Sequence, residues 1–192
     1  MIIQGNNPYI QPSFSLANRL MRGLWGVVWL ILFRPSPRPF HAWRGLILQV
    51  FGARLGQHVH VYPNVKIWAP WSLTIGSFVG IADGVTLYNM ASMTIDDHCV
   101  ISQGAHLCGG SHDIDSANFQ LIAKPIQLEK HVWICAEAFV GPGVNIAEGC
   151  VIGARAVVVK SIVEPWSVWA GNPAQMKRMR KRDDKKWAQY PS

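Results

Sequence analysis

An aliphatic residue recurs every six positions from Leu55 onward, and a small or β-branched residue usually follows four places later. Together these predict a parallel β-solenoid with an all-β core. In triplets the first positions are Leu55, Val61, Ile67; Ile75, Ile81, Leu87; Ile95, Ile101, Leu107; Leu128, Ile134, Val140; Ile146, Ile152, Val158. All are aliphatic. The residues four places on are Val59, Val65, Trp71; Val79, Val85, Ala91; Cys99, Ala105, Ser111; Val132, Ala138, Val144; Cys150, Ala156, Ile162. Only Trp71, beside a two-residue expansion, is large. Both sets are expected inside a triangular column in which a hexapeptide makes one strand and one corner. Five coils would stand roughly 24 Å tall at the ~4.8 Å spacing of paired strands. Gly84, Gly143 and Asp97 are among the residues expected to supply corner geometry with positive φ. A β-sandwich would instead need period-two alternation.

The solenoid is expected over 54–164, with helices over 1–53 and a C-terminal extension over 165–192. A chain of 192 residues, 49% hydrophobic and 15% charged, suffices for one cored domain with appendages. Its formal charge of +7 points to anionic partners. Nucleic acid is not the expected one, because no recognition motif is apparent. Cys99, Cys108, Cys135 and Cys150 show no CxxC spacing and read as small reduced residues. Met1 to Phe14 lacks a charged start leading into an apolar run and lacks a cleavage site, so a cytoplasmic location is expected.

Leu16, Leu20, Leu24, Val27, Val28 and Ile31 follow helical spacing behind Ser13 or Ser15 as N-cap. The uncharged part, 23–33, is too short to cross a bilayer, which needs about 20 residues. Trp25, Trp29 and Phe33 beside Arg19, Arg22, Arg34 and Arg38 would suit peripheral contact of 15–33 with the inner membrane face. Three prolines after Arg34 end that helix. A second, Phe40 to Phe51, places Trp43, Ile47 and Val50 on one side and stops at Gly52. At the other end, Met176 to Lys186 carries seven Lys/Arg against two Asp and reads as a basic helix.

The period breaks after Leu107. From Ile95 to Leu128 the chain uses 33 residues where an uninterrupted coil would use about 18, so a loop over 113–127 leaves a corner. His112 stands at its root beside Gly109 and Gly110. A histidine there suits general-base removal of a hydroxyl proton during attack on a thioester carbonyl. Asp113 or Asp115 could accept from the other ring nitrogen and fix the tautomer.

These features, with Val132-Trp133-Ile134, Val140-Gly-Pro-Gly-Val144 and Gly171-Asn-Pro-Ala174, resemble the hexapeptide-repeat acyltransferases, which are left-handed parallel β-helix enzymes. Phe14-Ser-Leu-Ala-Asn-Arg-Leu20, Trp43-Arg44 and Phe51-Gly-Ala53 extend the resemblance to the colanic-acid and exopolysaccharide acetyltransferase branch over nearly the whole chain. The resemblance implies acetyl-CoA as acyl donor, no metal, a sugar acceptor and a homotrimer whose grooves lie between subunits. It makes His112 the catalytic base; of the two nearby aspartates, Asp115 is taken as the partner. It places Trp133 near the donor's acyl arm and Ala136, Ala154, Val159 and Lys160 along the donor groove. Lys160 and Arg178 are cations suited to its phosphates. Related galactoside and maltose acetyltransferases bind sugar with an asparagine and an aspartate; the aligned positions here are Ala82 and Met90. Tyr88 and Asn89 are the substitutes. The family's Lys-Asp pair is Lys160-Ser161 here.

Two other readings use the same solenoid. A zinc-dependent carbonic anhydrase-like lyase, which uses histidines from neighbouring subunits, would draw on His58, His98 and His131, which fall at one corner of different coils. A non-enzymatic scaffold would need none of these side chains.

Overall fold

The computed structural model describes residues 2–3 and 9–181. Three parallel flanks form a left-handed column. The first flank stacks Arg54–Leu55, Leu73–Ile75, Met93–Ile95, Ile126–Leu128 and Asn145–Ile146. The second stacks His60–Val61, Gly80–Ile81, Val100–Ile101, Trp133–Ile134, Val151–Ile152 and Ser167–Ala170. The third stacks Lys66–Ile67, Thr86–Tyr88, His106–Cys108, Phe139–Val140 and Val157–Val158. Pairing follows the hexapeptide register: Leu55 faces Ile75, Val61 faces Ile81, Ile67 faces Leu87, and so on upward. Every first-position residue from Val61 to Val158 is buried, while Leu55 at the base is half-buried. Cys99 and Cys150 lie inside as expected, and burial pushes the Cys99 thiol up to about 12.

The interior departs from the expected pattern at the corner between the third and first flanks. Trp71 and Ala91 are half-buried and Ser111 is exposed; Leu73, Met93 and Ile126 fill the core there instead. Two extra residues in each of the first two coils move the inward position along by two. The column also continues beyond residue 164 into a sixth, partial turn. Ile162 bridges Ile146, Ser167–Ala170 pairs with Val151–Ile152, and the Val157 N–H donates to Gly171 O at 3.0 Å.

The corner between the first and second flanks carries the expected Gly56, Gly76, Asp96 and Asp97, but in four coils its left-handed position holds a ring. His58, Phe78, His98 and His131 adopt φ of 53°, 59°, 60° and 61°, and their rings stack successively at centroid distances of 5.1, 5.0 and 4.9 Å. Coil spacing matches ring stacking, so ring contact offsets the cost of the left-handed backbone. In the fifth coil Gly149 (φ 70°) leaves the space that the Trp166 ring fills.

Helix α1, Leu16–Val28, is capped by the Ser15 hydroxyl, which accepts from Asn18 N–H at 3.3 Å, and runs into a wider π-helical turn, Trp29–Phe33. Trp25 Nε1 donates to Ile67 O at 2.7 Å and Trp29 Nε1 to Val65 O at 2.8 Å, covering carbonyls at the foot of the column. The two elements together give 18 residues of mean hydropathy 1.3, which by length and composition is enough to cross a membrane, unlike the eleven counted from sequence. Their aromatic face is tied to the first coil instead. In α2, His41–Val50, the buried side is Arg44, Ile47 and Leu48; Trp43 and Val50 are exposed, contrary to the expected face. Arg44 is fully buried and donates from Nε to Val61 O (2.7 Å) and from its terminal nitrogens to Ser36 Oγ, Pro37 O and Arg38 O. A charge can remain there because carbonyls satisfy its donors.

The expected basic helix is a strand where it is described. Gln175–Met179 pairs antiparallel with Ser167–Ala170, because the sixth turn offers an open edge. Residues 182–186 of that stretch lie outside the described residues.

Candidate active site

The insertion after Leu107 is a hairpin arm rather than an open loop over 113–127. Gly110–His112 pairs antiparallel with Leu121–Ala123, and the chain rejoins the column at Ile126–Leu128. Its tip is closed locally: Asp113 N–H donates to Gln120 O at 2.9 Å, and Phe119 N–H to Ser116 O at 3.0 Å. At the root the two glycines sit in a tight space. A methyl group on Gly110 would lie 2.5 Å from the Met90 sulfur and 3.1 Å from the Tyr88 ring. The two glycines therefore let the arm press against the coil below.

His112 is exposed, and its Nδ1 is 2.7 Å from Phe119 O. A carbonyl oxygen only accepts, so in the neutral ring Nδ1 carries the hydrogen and Nε2 keeps its lone pair for a proton. Phe119 adopts φ 47° and turns its carbonyl across the arm. This corrects the expected role of the aspartates. Asp113 Oδ1 accepts from Asp115 N–H at 3.1 Å, which makes the pair a turn element, and the imidazole is held by backbone.

The acceptor-side candidates separate. Asn89 is fully buried; its Oδ1 accepts from Ala69 N–H (3.1 Å) and its Nδ2 donates to Ala69 O (2.6 Å), so its amide joins two coils rather than facing a ligand. Tyr88 is half-buried, with its hydroxyl pushed above its ordinary value by burial and next by Cys108. It belongs to a run of rings up the third flank, Trp68, Tyr88, His106 and Phe139, at centroid distances of 6.2, 6.4 and 5.5 Å. Arg22 of α1 lies 4.5 Å over Trp68. Trp68 and Tyr88 follow the inward residue of their repeats whereas His106 and Phe139 precede it, so the run spans two repeat positions and has no single periodic signature in the sequence.

The donor-side candidates lie on two edges. Trp133 projects from the second flank, 44% exposed, and its Nε1 donates to Ser102 Oγ at 2.9 Å. Ala136 and Ala154 flank the next corner, where the Arg155 Nε to Glu137 Oε2 contact of 2.6 Å ties successive coils. Val159 and Lys160 instead line a cavity of about 310 Å³ beyond the third flank, with Trp169, Pro173 and Ala174. Arg178 sits exposed on the added strand, where its Nη1 donates to Met179 O at 3.0 Å. His112 leaves the third flank on the same side as Lys160. The third flank separates both from Trp133 within one chain.

Among the described residues, no three His, Cys, Asp or Glu groups come together to hold a metal. His98 and His131 lie face to face with planes 10° apart, and Phe78 separates His98 from His58. Within one chain these rings are engaged with one another in the corner stack.

No family model matches the chain. It is 40% identical over 171 residues, 89% of its length and 93% of the relative's, to the Escherichia coli (strain K12) protein named "Putative colanic acid biosynthesis acetyltransferase WcaF". A hexapeptide-repeat acetyltransferase of Vibrio cholerae, crystallised with acetyl coenzyme A, matches with a TM-score of 0.80 and 26% identity, over 89% of this chain and 93% of that one. A galactoside acetyltransferase in complex with coenzyme A matches with a TM-score of 0.81 and 25% identity, over 91% and 88%. Near full-length identity, the six-residue period and the column itself agree that the chain belongs to the hexapeptide-repeat acetyltransferases.

Proposed function

We propose that the protein is an O-acetyltransferase that moves an acetyl group from acetyl-CoA to a sugar hydroxyl of a polysaccharide precursor, with His112 as general base. The observation that carries this reading is the His112 ring, held by Phe119 O at Nδ1 so that Nε2 is free to take the hydroxyl proton. The acceptor oxygen, as it loses that proton, forms the new ester bond to the acetyl carbonyl, and the thiolate of coenzyme A leaves. Coenzyme A and acetyl-CoA in the solved relatives, and the name of the Escherichia coli relative, support the choice of donor and acceptor class. Lys160, on the cavity beyond the third flank, and Arg178 supply cations for the donor's phosphates.

The active unit in this reading is a trimer. Outward residues of the first flank are polar (Arg54, Thr74, Thr94, Gln127, Asn145), whereas the second flank carries Val100, Trp133 and Val151 and the third carries His106, Phe139 and Val157. Packing the second flank of one chain towards the third of the next would bring Trp133 to His112 in three equivalent grooves. A screen of sugar and oligosaccharide acceptors for release of coenzyme A, followed by NMR location of the new ester, tests the function. Release with a sugar and an ester on its oxygen is the expected result; release with amine acceptors alone would overturn the O-transfer reading.

A further inference from the structure

The charge of this chain is segregated. Its first acidic residue is Asp83: residues 1–82 hold seven Lys/Arg and no Asp or Glu, and the remaining 110 hold eleven of each, so the whole formal charge of +7 resides in the N-terminal part. That part also carries an apolar face that the column does not cover. Leu16, Leu20, Leu24 and Val27, continued by Ile31, are 54% to 65% exposed. Their spacing of three and four places them on one side of α1, opposite Trp25, whose indole is tied to Ile67. A helix apolar on two opposite faces needs two covers, and the first coil supplies one.

We infer that this face docks onto an anionic phospholipid surface, with α1 lying flat along it. The cations are distributed to suit. Arg19 borders the stripe, and Arg34 and Arg38 follow its C-terminal end; all three are exposed. Phe40 and Trp43 are exposed just beyond, and Trp43 Nε1 donates to Leu32 O at 3.0 Å, joining α2 to the same patch. Apolar insertion and attraction to lipid phosphates then act together, each being marginal alone. The aromatic face expected from sequence to meet the membrane is turned inward, and the leucine face takes that place. Crossing the bilayer would require Trp25 and Trp29 to give up both hydrogen bonds to the column, so the flat orientation is favoured. On the His112 reading, the site would stand two coils, roughly 10 Å, above the helix level, within reach of an acceptor carried on lipid.

Flotation of the full chain with vesicles of phosphatidylcholine, alone or with about a third phosphatidylglycerol, tests this without any acetylation assay. Binding to the anionic vesicles, roughly tenfold stronger than to the neutral ones and weakened by salt, is expected. Leu20→Asp with Leu24→Asp should abolish that binding while the melting temperature and the particle mass by light scattering stay unchanged. Arg19→Gln with Arg34→Gln, which leaves the helix apolar, should remove only the preference for anionic lipid and serves if the first variant fails to fold. Failure of the full chain to bind anionic vesicles would overturn the inference. Loss of self-association in the leucine variant with vesicle binding intact would also overturn it, showing that a second copy of the chain covers the face.

Discussion

His106 shows what burial does to one side chain in this column. It is packed between Tyr88 and Phe139, its Nε2 has no hydrogen-bond partner among the described residues, and burial holds its pKa below the ordinary 6.5. The native ring therefore stays neutral where the unfolded chain takes up a proton. Between the lowered value and 6.5 the unfolded state binds more protons, so stability is lost as pH falls through that window. His41 and His131, both lowered mainly by burial, act in the same direction. Urea unfolding should show a midpoint that drops as pH is lowered below 6.5. His106→Phe should make that drop shallower and, by removing the unpaired nitrogen, raise stability by about 1 kcal/mol. An unchanged pH slope in His106→Phe would contradict the assignment. His112 stands out in the sequence because it sits where the period breaks. The Phe119 carbonyl that meets its Nδ1 does not, since a backbone acceptor has no side-chain signature and Asp113 and Asp115 looked like better acceptors.

At the scale of elements, the six-residue period was readable because the interior is aliphatic at nearly every first position. The errors cluster at one corner. Two extra residues in each of the first two coils bring Ala69 and Asn89 inside and turn Asn89 from a ligand candidate into a tie between coils, while the hairpin arm of the third carries Ser111 outward. Helix α1 was legible in extent but not in orientation, because leucine and tryptophan stripes of equal spacing compete for the column and only packing decides between them. The glycine at the fifth rung of the corner stack has a defined purpose: its φ is 70° and the Trp166 ring occupies the place of a side chain. Gly149→Ala should destabilise by about 2 kcal/mol or more, from strain and overpacking together. In a Trp166→Ala background the same change should cost only about 1 kcal/mol, the backbone part. Equal costs in the two backgrounds, read from urea unfolding, would show that the ring is not the obstacle.

For the whole molecule, the proposed trimer would bring together Trp133 and His112, which the third flank separates within one chain. Mixing equal amounts of His112→Ala and Trp133→Ala chains after denaturation and refolding should restore activity in about a quarter of the grooves, those that combine two intact walls. Recovery no greater than the sum of the separate variants would place both groups in one chain's site. The most direct test of the account is the steady-state rate of acetyl transfer by His112→Ala, with folding checked by its melting temperature. Because the side chain is exposed on the hairpin arm, the melting temperature should be unchanged, while kcat falls by about 10² to 10⁴, the usual contribution of a general base. A folded His112→Ala protein that turns over at near the parent rate would contradict it.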